Sequence, residues 1–439
     1  MVTMERRLWA LPTFVLSVVL IAAACGTGGG TTAPSGGSPG GSAATGSPPA
    51  SGGPKVTFRL TTWAGEDEAK ELQELVLDKI NAEATDFEIV HEPAPADYYT
   101  KLQTTLAGGT GADFMWLSQE YVAGYASRGA LLDLTEHLAG VDNPAAKLDD
   151  YFPGVIKPAK YQDKVYGLPW ISQPLVLYYN PTIFEAANVD PPDDSWDWTK
   201  FRETAVELTK DGKYGFTAGG WPPIQQFIWQ AGGEVITDDL ASSPIDSPEA
   251  MEAVEFYKSL VWNEECCPSE ETITEQGFGE MFKGGNVAMF MGGAADTFDG
   301  LDVVGASVVP KGPKNRANLS YVAVTAVNSA TENPALAAKA LAALTDGIHH
   351  WKIVAPRPEL ATAETILASI PAKWKAQKEG QVDAIVAATE EMRAFNIIPR
   401  HQEWDGLFWS EFQDLVWHGK STPSEAAPGA REKLEALLP

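Results

Sequence analysis

Tryptophan is the chemically conspicuous residue of this chain. There are 14 among 439 residues, and six of them, Trp63, Trp116, Trp170, Trp221, Trp351 and Trp404, fall at strand ends or beside glycine and proline. An indole offers a broad apolar face with a single N–H at its edge. It suits a ligand with an apolar face and a polar rim. A sugar ring has that form, with C–H bonds on its face and hydroxyls around it, and binding it needs no reactive group.

Reactive arrangements are not evident. Six histidines give no metal spacing, and the adjacent pair His349-His350 does not face one ion as an i, i+4 pair does. There is no G-x-S-x-G elbow. GTGADF (109–114) and GKST (419–422) are fragments of phosphate loops without a strand–loop–helix setting, and read as turns. Glu66, Asp67 and Glu68 suit the first turn of a helix, where acids complement its dipole. A carboxylate pair flanking a glycosidic bond stays open, with no pair singled out. No catalytic residue, metal or cofactor is expected. Cys266 and Cys267 are adjacent in a loop before Pro268. Neighbouring Cα atoms lie about 3.8 Å apart, below the usual disulfide span, so free thiols and a strained bridge are both open.

The elements that must position these aromatics alternate. VTFRLTTW (56–63) alternates like a strand, and 68–82 carries Leu72, Leu75, Val76 and Ile80 at helical spacing. DFEIVHE (86–92) is a strand, 98–106 a helix closed by Gly108-Gly109, and ADFMWLS (112–118) a short buried strand. This rhythm predicts an α/β lobe with a largely parallel sheet, whose ligand sites lie beyond the carboxyl ends of strands. Trp63, Trp116 and Trp170 stand near such ends. PLVLYYN (174–180) reads as the opening strand of a second lobe, with Tyr178 and Tyr179 on opposite faces. Helices follow at 198–209, 223–231 and 248–262, strands at 286–292, 303–310 and 321–327, and a helix at 333–344. In GGWPPIQQFIWQAGG (219–233), Ile224, Phe227, Ile228 and Ala231 share one helical face as core, and Trp229 covers a second contact. Trp221 stands apart in a glycine–proline loop as a candidate platform for a ring.

The N-terminal stretch has another character. Arg6-Arg7, an apolar run from Leu8 to Ala24 and Cys25 read as a secretory signal ending in a lipobox-like IAAAC, with Cys25 as the lipidated residue. Residues 26–54 contain almost only Gly, Ser, Thr, Ala and Pro. Such a segment buries too little apolar surface to fold and spans about 30 Å as a coil. The net charge of −27, which loss of Met1–Ala24 changes by one unit, disfavours nucleic acid as a partner.

Taken in order, TTWAGEDE (61–68), TLAGGTGADFMWLSQEYVAGYASRGALLDLT (105–135), KVYGLPWISQPLVLYYNPTIFEAANVDPP (164–192), GGEVI (232–236), SPEAMEAVEFYKSL (247–260), FGEMFKGGNVAMFMGG (278–293) and GKSTPSEA (419–426) resemble the maltose/trehalose-like extracellular solute-binding proteins of bacterial ABC importers. The resemblance runs from Lys55 to Leu438. It implies a two-lobed periplasmic-binding-protein-like α/β fold, with 55–170 plus 311–350 as one lobe and 171–310 plus 351–439 as the other. Hinges are implied near 170–174, 309–313 and 349–355, with the ligand in the cleft between lobes. It places Trp63 and Glu66, then Trp116, Gln119 and Tyr121, then Gln173 and finally Trp404 at the site. Trp170 beside a hinge, Tyr178 on its strand and Trp221 in its loop join them as candidates from the residues themselves, and Arg357 in APRPE reads either as reaching the cleft or as part of a surface salt bridge. Where maltodextrin binders carry an aromatic after Gly292-Gly293, this chain has Ala294, Ala295 and Asp296, so Asp296 becomes a hydroxyl acceptor and long maltodextrins are disfavoured. The implied partners are a carbohydrate and membrane permease subunits, with a monomeric binder anchored at Cys25. A secreted carbohydrate-active enzyme and a surface sensor are the rival readings.

Overall fold

The computed structural model describes residues 54–218, 222–263, 266–354 and 356–439. β1 (Val56–Thr62) leads into α1 (Glu66–Leu72), which continues as one helical run through Gln73–Leu77 to Asp78–Glu83. Its three opening acids sit where the helix dipole favours them, and Leu72, Val76 and Leu77 form the buried stripe. β2 (Phe87–Pro93), α2 (Tyr98–Ala107), β3 (Phe114–Ser118) and α3 (Gln119–Ser127) complete the first α/β run. Both β2 and β3 lie parallel to β1. All five β3 residues are buried, with Phe114 and Trp116 in the core on one face and Met115 and Leu117 in the core on the other. That is why the strand reads as an unbroken apolar run rather than an alternation.

The later chain forms β4 (Gly167–Tyr179), α4 (Trp198–Glu207), α5 (Ile224–Gln230), α6 (Pro248–Lys258), β5 (Met289–Gly293), β6 (Gly305–Ser307) and β7 (Asn318–Val327). It ends with α7 (Pro334–His349), α8 (Lys375–Glu379), β8 (Met392–Arg393), α9 (His401–Phe408) and α10 (Pro423–Glu435). One sheet runs β2-β1-β3-β7-β4-β5, with β6 beside β4 and β8 beside β7.

The second lobe does not begin with a fresh strand at 174, as the sequence suggested. β4 is a single 13-residue strand. Its first part pairs with β7 and its second with β5 and β6, all antiparallel. Ile171 belongs to the core of lobe one and Leu175 to that of lobe two, so the crossing falls between them. β7 makes the return: Leu319 packs in lobe two and Val322 in lobe one. The return was expected near 309–313, but Val309, Ala317 and Leu319 all belong to the second core. A third crossing separates Ile348 from Val354. Residues beyond it do not all stay in lobe two, since Met392 and Ala394 pack back into the first.

Phe227 and Trp229 are both 1 % exposed in the second core, and Trp229 covers Phe395 at 5.4 Å and the Arg393 guanidinium at 4.6 Å. α5 also buries three glutamines. Gln230 accepts from Trp198 Nε1 at 2.8 Å and donates to Ala317 O, while Gln226 Oε1 accepts the Leu319 N–H. Cys266 and Cys267 are buried free thiols, not a surface-loop bridge.

Candidate ligand-binding site

Three groups of side chains meet where the lobes join. The first stands past the carboxyl end of β1. Trp63 is half-buried, and its ring lies 5.3 Å from Trp116, 6.1 Å from Trp170 and 5.5 Å from Tyr98. Trp116 and Trp170 stack on each other at 4.1 Å. They are 0 % and 3 % exposed, so neither offers an open face, and their role is to back Trp63. Lys352 Nζ sits 3.7 Å over the Trp351 ring and pairs with Glu68 at 2.5 Å. Glu66 is exposed at the start of α1, away from these contacts.

The second group follows β3, where Ser118, Gln119, Glu120 and Tyr121 turn into α3. Tyr99 accepts the Ser118 N–H at 3.0 Å and stacks on Tyr121 at 3.6 Å. Glu120 accepts a short hydrogen bond from Ser118 Oγ. Burial, with repulsion from Asp405 adding to it, holds the Glu120 carboxyl above its usual range. A cavity of about 280 Å³ opens here between the lobes. Gln119, Glu120 and Tyr321 line it on one side, and Gln225, Trp404 and Asp405 on the other. Burial pushes Asp405 up and pushes Tyr321 to about 12. It also pushes His401 at the cavity wall down to about 4, so that imidazole is neutral at pH 7. Gln119 Oε1, His401 Nδ1 and Trp404 Nε1 are buried without a hydrogen-bond partner. Buried polar groups are normally paired, and orphans of this kind mark a place where something else completes them.

The third group flanks the second through the sheet. Gln173 on β4 is the register partner of Tyr321 on β7. A Cβ on Gly293 would stand 2.2 Å from Gln173 Oε1, and one on Gly292 would stand 2.5 Å from Asp296 Oδ2. The two glycines therefore let Gln173 and Asp296 close on the same end of β5. Asp296 accepts the Gly293 N–H at 3.0 Å, and burial raises its carboxyl. Beneath this loop Lys378, 0 % exposed, donates to Ala294 O at 3.0 Å and to the Tyr178 hydroxyl at 2.9 Å. Tyr178 in turn donates to Gly293 O at 2.8 Å. Burial brings Lys378 down to about 7.

The sequence-based site is thus gathered only in part. Trp63, Gln119, Tyr121, Gln173, Asp296 and Trp404 come to the junction. Tyr178 is corrected: at 0 % exposure it props Gly293 from behind, and of the two tyrosines it is Tyr179 that stays partly exposed. Arg357 is also corrected. It is 1 % exposed and bonds the part-exposed Asp346 at 3.1 Å, so the guanidinium is held inside rather than in the cleft or on the surface. Trp221 and Cys25 lie outside the described residues. Glu120, Asp405, Tyr321, Gln225 and Lys378 were missed. Glu120 and Asp405 directly follow residues that were picked, while nothing local marks Lys378.

Two α/β lobes joined by strands they share, with a cavity lined from both, define a protein that holds a ligand between lobes rather than on a surface. Residues 63–346 match the model of the bacterial extracellular solute-binding protein family, and the chain belongs to it. It is 26 % identical over 197 residues to a binding protein of Brucella abortus, covering 44 % of this chain and 46 % of that one. It is 26 % identical over 229 residues to a lipoprotein of Streptomyces antibioticus, covering 49 % of each. The chain spans about half the length of these curated relatives. An ABC substrate-binding protein of Listeria monocytogenes, in complex with cycloalternan, superimposes with a TM-score of 0.74 at 21 % identity, over 87 % of this chain and 99 % of that one.

Proposed function

We propose that this protein is the ligand-capturing subunit of an ABC importer, taking up carbohydrate in the cleft between its lobes and presenting it to membrane permease subunits. The observation that carries this reading is the cavity at the lobe junction, where aromatic rings stand beside orphaned hydrogen-bonding atoms. Aromatic faces match sugar C–H surfaces, and Gln119, Gln173 and Asp296 match hydroxyls, with the charged partner the stronger. The cycloalternan held by the Listeria monocytogenes protein is a carbohydrate too. Cys25, after the apolar run and before the Gly/Ser/Pro segment, is the proposed lipid anchor on the outer face of the membrane, and the relative called a lipoprotein agrees. Closure of the lobes over the sugar is the signal the permease reads.

Titration calorimetry of the secreted chain against mono- and oligosaccharides, amino acids and polyamines tests this. Saturable heat with a sugar is expected. Heat with amino acids or polyamines alone removes the carbohydrate assignment.

A further inference from the structure

We propose that the cavity between the lobes selects a sugar bearing a protonated amine, an amino sugar, over its neutral counterpart. This rests on the carbohydrate reading above and sharpens it.

Glu120 and Asp405 approach the cavity from opposite lobes, one at the start of α3 and one within α9. Among the described residues neither takes part in an ion pair. Arg128 and Arg400 line a neighbouring cavity on the far side of Glu120, but Arg400 is taken by Glu403. Two desolvated carboxylates that repel each other are costly to bury, and a shared cation relieves both burial and repulsion. A hydroxyl donates one hydrogen bond and leaves the charge in place. An ammonium donates up to three and cancels it.

The walls fit the same group. Tyr321 and Phe395 present aromatic rings, whose negative faces attract a cation, while Trp404 is stacked against His401 and Phe408 and offers its Nε1 edge. Gln119 Oε1, an orphan acceptor in a residue 2 % exposed, suits a donor-rich ligand. Trp404 Nε1, an orphan donor in a residue 1 % exposed, supplies the counterpart for a hydroxyl oxygen. Among the described residues no lysine or arginine lines the cavity. The cavity therefore offers excess negative charge together with an orphan acceptor, an orphan donor and the neutral His401 Nδ1, which takes either part by tautomer, and this set matches an amine among hydroxyls.

Glucosamine, glucose and N-acetylglucosamine share a ring and carry the amine charged, absent and capped. They and their β-1,4-linked dimers are titrated into the secreted chain at pH 7. The amine-bearing member of each set is expected to bind about tenfold more tightly or better, the size of one charge-assisted hydrogen bond. In the E120Q/D405N double variant, checked for folding by circular dichroism, that preference is expected to vanish. Glucose binding as tightly as glucosamine, or a preference that survives in the double variant, overturns this inference and leaves the carbohydrate reading standing. Heat with none of the sugars overturns both.

Discussion

Trp63 and Trp116 are neighbours in one aromatic cluster with opposite consequences. Trp63 is only half-buried, whereas Trp116 is fully buried beside Trp63 and Trp170. Trp63→Ala is therefore expected to weaken sugar binding with little change in melting temperature. Trp116→Ala should cost about 3–5 kcal/mol of stability, as large buried aromatics do, read by urea denaturation. Similar losses of stability from both variants would contradict this division. Sequence placed both at strand ends and could not separate them, because a strand buried on both faces shows no alternation. The carboxylates carry a second expectation. Glu120 and Asp405 are both raised by burial, so the folded state holds their protons more tightly than the unfolded chain. Their contribution is favourable below the unfolded values near pH 4 and is lost as pH rises through the higher folded ones. E120Q/D405N should thus melt higher than the parent at pH 7, and the gain should shrink toward pH 4. A gain that does not depend on pH would sink the argument. These two acids were illegible in the sequence because they lie far apart along the chain and meet only across the cleft.

At the scale of elements, the glycines divide the same way. A Cβ on Gly215 would stand 1.8 Å from the carbonyl oxygen of Ala205 in α4, a backbone atom that cannot swing aside. On Gly293 it would meet the end of the Gln173 side chain, which can. Gly215→Ala is expected to destabilise by about 3 kcal/mol or more. Gly293→Ala should leave the melting temperature nearly unchanged while displacing Gln173 and weakening sugar binding, as paired thermal and calorimetric measurements would show. The alternating strand–helix order of the first lobe was plain from periodicity, since its local patterns match its global fold. What periodicity missed is the length of β4 and the place of the return in β7. An apolar run carries no mark of where one core ends and the next begins, and Ile171 and Leu175 look alike in sequence.

For the molecule as a whole, family membership and the two-lobed form were both readable, since the order and spacing of weak motifs over most of the chain is itself a signal. The cavity was not, because it is assembled from α3, α5, β7 and α9 together. One feature of that assembly reaches further than ligand binding. β4 and β7 are hydrogen-bonded to each other across the junction and each supplies side chains to both cores. Neither lobe can melt without stripping strands from the other. Differential scanning calorimetry should show a single endotherm, with calorimetric and van't Hoff enthalpies that agree, in place of two separable transitions. The lobes that part and close at the cleft are one cooperative unit when they unfold.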